Sequence, residues 1–187
     1  GSVHLKNLSL SHNPLGSSGV ELVLKTIPHE SVSRLELCAV TSGEALIMEP
    51  VTRYLTQDGC ALSHLALSSN HLNDESVRDL ARCLPGCSSL TSIDLSGNPN
   101  IGADGFQYLL NGIQERSIAM EGLNLTGCGI RGPFSSRSLD VLSSLLQELR
   151  LGSHSLSKRD RETLVEARRG DSLILSQHNK LFIKRLT

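Results

Sequence analysis

Apolar residues recur along this chain in the spacing L-x-x-L-x-L-x-x-N-x-L, in which x is any residue. Six copies of the pattern align, and they begin at Leu5, Val32, Leu62, Leu90, Met120 and Leu146. Successive copies start 26 to 30 residues apart, which is the length of a repeat that holds one strand and one helix. The pattern therefore predicts a repeat protein whose apolar core is rebuilt in each copy.

The x-L-x-L centre of each copy predicts a short strand, with its Leu residues inside and the intervening residues outside. The Asn that follows can satisfy backbone groups of the next turn that would otherwise be buried without partners. Cys128 takes the place of this Asn in the fifth copy, as is common in such repeats. Val40 and His154 take its place in the second and sixth copies, and we expect looser or altered turns at both.

Helical spacing of apolar residues fills the gaps between the copies. It predicts helices, two of them marked by N-capping residues, at 19–27, 50–57, from Asn73 onward, at 106–113, at 139–146 and from Ser157 onward. Alternating strands and helices indicate an α/β leucine-rich repeat solenoid of the ribonuclease-inhibitor type. We expect a parallel sheet on its concave face and helices on its convex face.

The two ends of the chain differ from the repeats. Gly1-Ser2 is typical of a cloning remnant, and residues 3–187 are predicted to form one leucine-rich repeat domain of about six to seven repeats. Segment 171–187 predicts two short strands around a turn, the first where a seventh repeat strand would fall, and we expect it to cap the last apolar layer. The first copy has no polar capping helix before it, so we expect the natural chain to continue upstream.

Composition narrows the classes of function. Leu supplies 34 of the 187 residues, whereas aromatic residues make up 3% and Trp is missing, which excludes a base-stacking platform for nucleic acids. The formal net charge of −1 argues against a generally basic coat. No apolar run reaches the ~18 to 20 residues of a membrane span, so we expect no membrane partner.

The residues that could carry chemistry form no recognisable site. The five cysteines show neither a framework of pairs nor the spacing of zinc ligands, so we expect reduced thiols, no metal and no cofactor. A P-loop, a nucleophile elbow and a dinucleotide-binding fingerprint are all missing from the sequence. The sequence therefore predicts that the domain is not an enzyme.

The outward positions of the predicted strands are the first candidate site. Small and polar residues there leave backbone and charges accessible to a peptide or helix that lies along the sheet. The residues that we expect to bind a protein on this concave face are Arg34, Glu36, His64, Asp94, Asn124, Glu148 and Arg150. The alternative is a plain solvated surface.

A basic C-terminal segment is the second candidate site. Residues 1–149 carry a formal charge of −6, whereas residues 150–187 carry +5. The candidates for contacts with phosphates or with an acidic partner are Arg168, Arg169, Lys184 and Arg185. The alternative is a solvated capping helix in which interleaved acidic residues form local ion pairs.

Met48-Glu-Pro-Val51 and Lys180-Leu-Phe182 are two of several peptides by which this chain resembles the C-terminal leucine-rich repeats of the Tonsoku-like family, and the resemblance covers nearly the whole chain. Peptides such as Met48-Glu-Pro and Lys180-Leu-Phe are not generic to leucine-rich repeats, so the match is specific to this family. The matching stretches are 8–13, 34–37, 48–51, 53–55, 59–62, 69–72, 77–80, 180–182 and 184–186.

The resemblance implies a scaffold of nuclear chromatin that acts at stalled or collapsed replication forks and supports DNA repair by homologous recombination. It also implies that these repeats hold an obligate large helical partner protein. In that family histones and replication-fork proteins are bound through other parts of the full-length chain, and ankyrin repeats read histone H4. This chain has no ankyrin pattern. The implied location is the nucleus, with the cytoplasm as the alternative.

Two other functions stay open from the sequence. Inhibitor and sensor proteins share this long repeat type, although they strictly alternate two repeat types, which this chain does not. Direct contact between DNA and the basic C-terminal segment is the other alternative, and it would show strong dependence on salt.

Truncating an inward Leu tests the repeat register. Because Leu95 lies in an x-L-x-L centre, Leu95→Ala is expected to lower the free energy of unfolding by roughly 2 to 5 kcal/mol through lost packing. Thermal melting measures the effect. Melting like that of the unaltered chain would show that the register is wrong.

Overall fold

The computed structural model describes residues 4–43, 47–116, 118–168 and 170–186. Within these residues eight strands form one sheet: β1 (Asn7–Ser9), β2 (Arg34–Glu36), β3 (His64–Ala66), β4 (Ser92–Asp94), β5 (Met120–Thr126), β6 (Leu146–Gly152), β7 (Ser172–Gln177) and β8 (Lys180–Arg185). The helices are α1 (Gly16–Thr26), α2 (Met48–Leu55), α3 (Asp74–Cys83), α4 (Ala103–Gln114), α5 (Ser136–Ser144) and α6 (Lys158–Ala167), with a short 3₁₀ turn at Leu84–Gly86. The α/β solenoid predicted from the repeat is confirmed.

Strands β1 to β6 run parallel because each repeat brings the chain back through a helix before the next strand starts. The central apolar residues of neighbouring strands are directly paired, from Leu35 with Leu65 to Leu123 with Leu149. All are buried. Stacked strands therefore extend one continuous apolar core from repeat to repeat.

The curvature follows from the unequal widths of strands and helices. Neighbouring strands lie roughly 4.8 Å apart, whereas packed helices need about 8 to 10 Å. Each helix packs on the next along the opposite side of the stack, from α1 with α2 to α5 with α6. The stack must therefore bend toward its strands, which places the sheet on the concave side.

Two predicted capping residues begin helices as expected. Asn73 accepts the backbone N–H of Ser76 at 3.0 Å and forms a capping box at the start of α3. Ser157 does the same with Asp160 at the start of α6. Such caps satisfy backbone donors that the first helical turn leaves free. Elsewhere the helix bounds differ from the predicted ones by a few residues. For example, α1 begins at Gly16 and not at residue 19.

Asn98 shows what the recurrent asparagine does. Its Oδ1 accepts the backbone N–H groups of Asn70 and Leu72, both at 3.0 Å. Its Nδ2 donates to the carbonyl oxygens of Leu67 at 3.2 Å and Leu95 at 2.9 Å. Asn98 has no exposed surface, so these bonds satisfy backbone groups that water cannot reach. The side chain thereby fastens the turn of its own repeat to the turn of the preceding repeat.

Asn70 acts in the same way one repeat earlier, and we call Asn70 and Asn98 the asparagine ladder. Asn70 Oδ1 accepts the N–H of Val40 at 2.9 Å, and Nδ2 donates to the carbonyl oxygen of Leu37 at 2.6 Å. The expectation of a loose turn at Val40 is wrong, because the asparagine of the next repeat satisfies this turn and Val40 is buried. Since position 40 is Val, backbone bonds join the first turn to the second: the N–H groups of His12 and Gly16 donate to the carbonyl oxygens of Cys38 at 2.8 Å and Val40 at 2.9 Å. Asn13 bonds within its own turn.

The turn at His154 is altered, as expected. In the first five copies the residue before the asparagine position is left-handed, with φ between 52° and 77°, but Ser153 is not. The carbonyl oxygen of Asn179 accepts the Ser153 N–H at 3.0 Å instead. Cys128 keeps part of the asparagine role, because its Sγ donates to the carbonyl oxygen of Leu95 at 3.2 Å.

The C-terminal hairpin caps the stack in a different order from the one predicted. The second strand, β8, pairs with β6 and runs antiparallel to it, whereas β7 forms the outer edge of the sheet. The prediction that the first strand occupies the seventh repeat position is therefore wrong. The physical reason is apolar content: β8 buries both Leu181 and Ile183, whereas β7 offers the partly buried Ile174.

Removing one rung of the asparagine ladder tests its contribution to stability. We expect Asn98→Ala to lower the free energy of unfolding by about 2 to 4 kcal/mol, because two buried N–H groups lose their acceptor. The exposed Asn13→Ala is the matched control and should change it by less than about 1 kcal/mol. Urea unfolding followed by circular dichroism measures both, and equal losses would contradict the ladder.

Candidate protein-binding face

Strand register arranges the outward side chains in two parallel rows on the concave side, which we call the strand face. One row contains Arg34, His64, Ser92, Gly122, Glu148 and Lys184, and the other contains Glu36, Ala66, Asp94, Asn124, Arg150 and Phe182. All seven residues predicted for a concave site lie in these rows. Their role in binding stays a prediction.

An ion pair lies near the first end of the strand face. Arg34 Nε is 2.9 Å from Glu36 Oε1, and both side chains remain partly exposed. This hydrogen bond lowers the pKa of Glu36, so its carboxylate is charged at neutral pH. Exposed pairs of this kind contribute little to stability, and both charges are therefore accessible to a binding partner at small cost to the fold.

A second ion pair lies near the other end. Arg150 Nε is 2.9 Å from Glu148 Oε1, two residues away on β6. The Arg150 guanidinium also lies 4.7 Å from the ring centre of Phe182 on β8, in a cation–π contact. The cap hairpin thereby orients a charge of the last repeat.

The centre of the strand face holds a shallow, mainly acidic hollow of about 290 Å³. Its charged lining residues include Asp94, Glu121, Glu148 and Arg150, so carboxylates outnumber cations. Asp94 Oδ1 accepts the N–H of Ser96 at 2.9 Å, which fixes the carboxylate and leaves its second oxygen available. The sequence missed Glu121, because it precedes the x-L-x-L centre.

His64 also lines the hollow, where it is half-buried near the charges of Arg34, Glu36 and Asp94. Its Nδ1 lies 3.0 Å from Ser92 Oγ on the next strand. Burial lowers the pKa of His64, and the nearby positive charge of Arg34 lowers it further. The imidazole is therefore neutral at pH 7 and offers hydrogen bonds rather than charge.

Among the described residues, burial raises the pKa of the cysteine thiols, and the potential ligand side chains form no metal-binding cluster. Each of the five cysteines is a free thiol, and burial raises the pKa of Cys87 and Cys128 to about 11. Such thiols are protonated at neutral pH and are poor nucleophiles. No group of three or more His, Cys, Asp or Glu in residues 4–43, 47–116, 118–168 and 170–186 could hold a metal ion. None of the helices described is long and apolar enough to cross a membrane.

The basic segment is less accessible than the sequence suggested. Arg168 is 5% exposed, and its guanidinium donates to the carbonyl oxygens of Leu142, Leu146 and Gln147. It fills the gap between α5 and β6 and is not free for a phosphate, so the expectation for Arg168 is corrected. Arg185 is half-buried and donates to the Ser143 carbonyl oxygen.

Two candidates of the basic segment remain. Lys184 is exposed on β8, where it lies in the strand face next to Glu148. Arg169 lies outside the described residues. The sequence could not reveal that Arg168 points inward. A basic residue directly after the last turn of a helix is the ordinary pattern of a helix C-terminus.

Comparison with known proteins agrees with this geometry. A Leucine Rich repeat family model matches residues 1–24, 60–81 and 86–110. Ribonuclease inhibitor of Mus musculus is 29% identical over 183 residues, with 81% of this chain and 40% of that protein covered. The fold and these matches define a leucine-rich repeat solenoid of the ribonuclease-inhibitor type.

The chain is more similar to a particular protein of this class. Tonsoku-like protein is 45% identical over 187 residues in Mus musculus, with 99% of this chain covered, and 45% identical over 185 residues in Danio rerio, with 96% covered. The chain spans 13 to 14% of the length of these relatives. The family resemblance seen in the peptides is thereby confirmed, and it supports a protein-interaction domain.

The pKa of His64 provides a local test of the strand face. We expect it to lie below the ordinary value of 6.5, and Arg34→Gln to raise it part of the way back, because burial is the larger cause. The unfolded chain binds this proton at a higher pH than the folded chain does. The free energy of unfolding therefore falls as the pH drops from the unfolded pKa to the folded pKa of His64. Titration of the imidazole by NMR measures both values, and a pKa above 6.5 would contradict the burial.

The buried position of Arg168 provides another test. Arg168→Met keeps most of the side-chain volume but leaves three carbonyl groups without their donor, and we expect it to lower the free energy of unfolding by about 2 to 4 kcal/mol. Lys184→Met on the exposed face is the control and should stay within about 0.5 kcal/mol. Chemical unfolding compares them, and a neutral Arg168→Met would argue for a solvated arginine.

Proposed function

We propose that this domain is the partner-binding module of a nuclear scaffold that acts in replication-coupled DNA repair. The scaffold supports homologous recombination at stalled or collapsed forks, and the module is not an enzyme. Similarity to Tonsoku-like proteins over nearly the whole chain supports the biological setting. The strand face supports the mode of action.

The observation that carries the proposal is the arrangement of the strand face. Two ion pairs, Arg34 with Glu36 and Glu148 with Arg150, stand at separate ends of a row of small and polar residues. The acidic hollow adjoins the second pair, because Glu148 and Arg150 are among its lining residues. A surface with charges at defined intervals favours one partner orientation over others, because mismatched charges are costly when water is excluded.

The occupant that fits best is a large helical partner protein. A helix laid along the concave side presents a row of side chains, and basic residues on it would pair with Asp94, Glu121 and Glu148. Histones and replication-fork proteins would be held by other parts of the full-length chain. The proposed location is the nucleus, on chromatin at replication forks.

Two alternatives have weaker support. The similarity to ribonuclease inhibitor extends over 40% of that protein at 29% identity, and the shared repeat type accounts for it. Direct DNA contact through the C-terminal segment loses a main candidate, because Arg168 is buried. Lys184 alone of the described candidates is exposed.

Reversing two strand-face charges tests the proposal. The double variant Glu36→Lys with Asp94→Lys is expected to weaken capture of the helical partner by about tenfold or more, because charges that were paired would be repelled on binding. The measurement is quantitative pull-down from nuclear extract with identification by mass spectrometry. Thermal melting serves as the folding control.

Matched variants isolate the effect of position. Glu49→Lys with Glu75→Lys changes the net charge equally on exposed helical positions of α2 and α3, and it should bind normally. Asp94→Asn keeps an acceptor for the Ser96 N–H and separates the hydrogen bond from the charge. Normal capture by the strand-face variant would overturn the concave assignment.

A further inference from the structure

The C-terminal hairpin has two faces of different character. Ile174, Leu181 and Ile183 pack on the core. The alternate residues of the same strands lie on the concave side, and we call them the hairpin face: Leu173, Leu175, Gln177, Lys180, Phe182 and Lys184. The strand pairing Arg150 with Phe182 makes this face continuous with the strand face.

The hairpin face exposes apolar surface that the fold does not cover. Leu173 is 44% exposed and Leu175 is 60% exposed, side by side on one face of β7. Phe182 lies directly opposite Leu175 on β8. Leu175, Phe182 and Lys180 line a hollow of about 410 Å³. Clustered apolar exposure of this kind marks interaction sites more often than scattered exposure does.

β7 also has an open edge. Its partner in the sheet is β8, and no strand of the described chain pairs with its other side. Alternate backbone N–H and C=O groups therefore point away from the sheet. Proteins that protect such edges use charged residues, Pro or bulges, but β7 has the sequence SLILSQ and carries neither a charge nor a Pro.

The charge around this edge selects the occupant. Lys180 and Lys184 are exposed, and among the described residues neither lies in an ion pair. Asp171 is the one acidic residue in segment 171–186, against Lys180, Lys184 and Arg185. A second copy of the same hairpin would bring like charges together, whereas an acidic segment would pair with them.

We propose that β7 binds an extended acidic segment of a partner protein as a ninth strand. The backbone of that segment bonds to the free edge of β7, its apolar side chains cover Leu173 and Leu175, and its carboxylates face Lys180 and Lys184. This site shares Phe182 and Lys184 with the last strand of the strand face, and it lies beyond Asp94, Glu121 and Glu148, the carboxylates proposed above for the helical partner.

Selected peptides test the site directly. Peptides of about ten residues, long enough to pair with β7, are displayed on phage and selected on the immobilised chain. The enriched sequences are synthesised with a fluorescent label and measured by anisotropy. We expect apolar residues at the alternate positions opposite Leu173 and Leu175, acidic residues at the flanking positions of the same face, and loss of binding when alternate backbone amides are N-methylated or the acidic residues are replaced by Lys.

Two exposed leucines provide matched variants. Leu175→Glu removes apolar contact and repels an acidic ligand, so it should weaken peptide binding by about tenfold, whereas Leu22→Glu on α1, where the side chain is 68% exposed, should stay within about twofold. Melting controls the fold of both. Glu36→Lys with Asp94→Lys should keep the peptide, which separates this site from the concave one.

Each opposite result would overturn the proposal. Equal binding by Leu175→Glu and Leu22→Glu places the peptides elsewhere. If the enriched peptides lack acidic residues, charge does not select the occupant. If N-methylated peptides still bind, the peptide does not pair with β7 as a strand. A dimer in sedimentation that dissociates in Leu175→Glu would assign the edge to a second copy of the chain.

Discussion

Buried backbone groups in the turns after the strands are the constraint on which this solenoid depends. A repeat must reverse direction inside its own core, where water cannot satisfy N–H and C=O groups. Asn70 and Asn98 meet this need with side chains that are fully buried. Each side chain belongs to one turn and hydrogen-bonds to backbone groups of the turn before it. A single side chain therefore both satisfies a buried turn and sets the stacking of two repeats.

The strand face inherits its order from this stacking. Since the turns are fixed relative to one another, paired strands stay in register, and outward side chains form straight rows. The charges in these rows are then spaced by the strand separation and not by flexible loops. Rigid spacing of accessible charges is what a recognition surface requires, because little entropy is lost when a partner orders them.

Much of this fold could be predicted from the spacing of Leu and Asn. Local patterns predict the strands, the sheet and the capping roles of Asn73 and Ser157. They also predict the common face of Arg34, Asp94 and Arg150. The failures involve contacts between repeats. The turn at Val40 is satisfied by an asparagine 30 residues later, and no pattern within one repeat can show this.

The C-terminal region was harder for the same reason. Whether β7 or β8 pairs with β6 depends on which strand carries more inward apolar residues. Both strands have similar local patterns. Arg168 appears basic and terminal in sequence, yet its guanidinium is buried and donates to carbonyl oxygens of α5 and β6. Tertiary geometry decides these cases, and local propensity does not.

Native-state hydrogen exchange tests the coupling of the turns most directly. The amides of Val40, Asn70 and Leu72 donate to asparagine side chains and lie outside the strands. If the asparagine ladder holds the stack together, these three amides should exchange as slowly as the amides of Leu67 and Leu95, which bond to neighbouring strands. Exchange as fast as that of exposed loops would contradict the ladder as the constraint that orders the repeats.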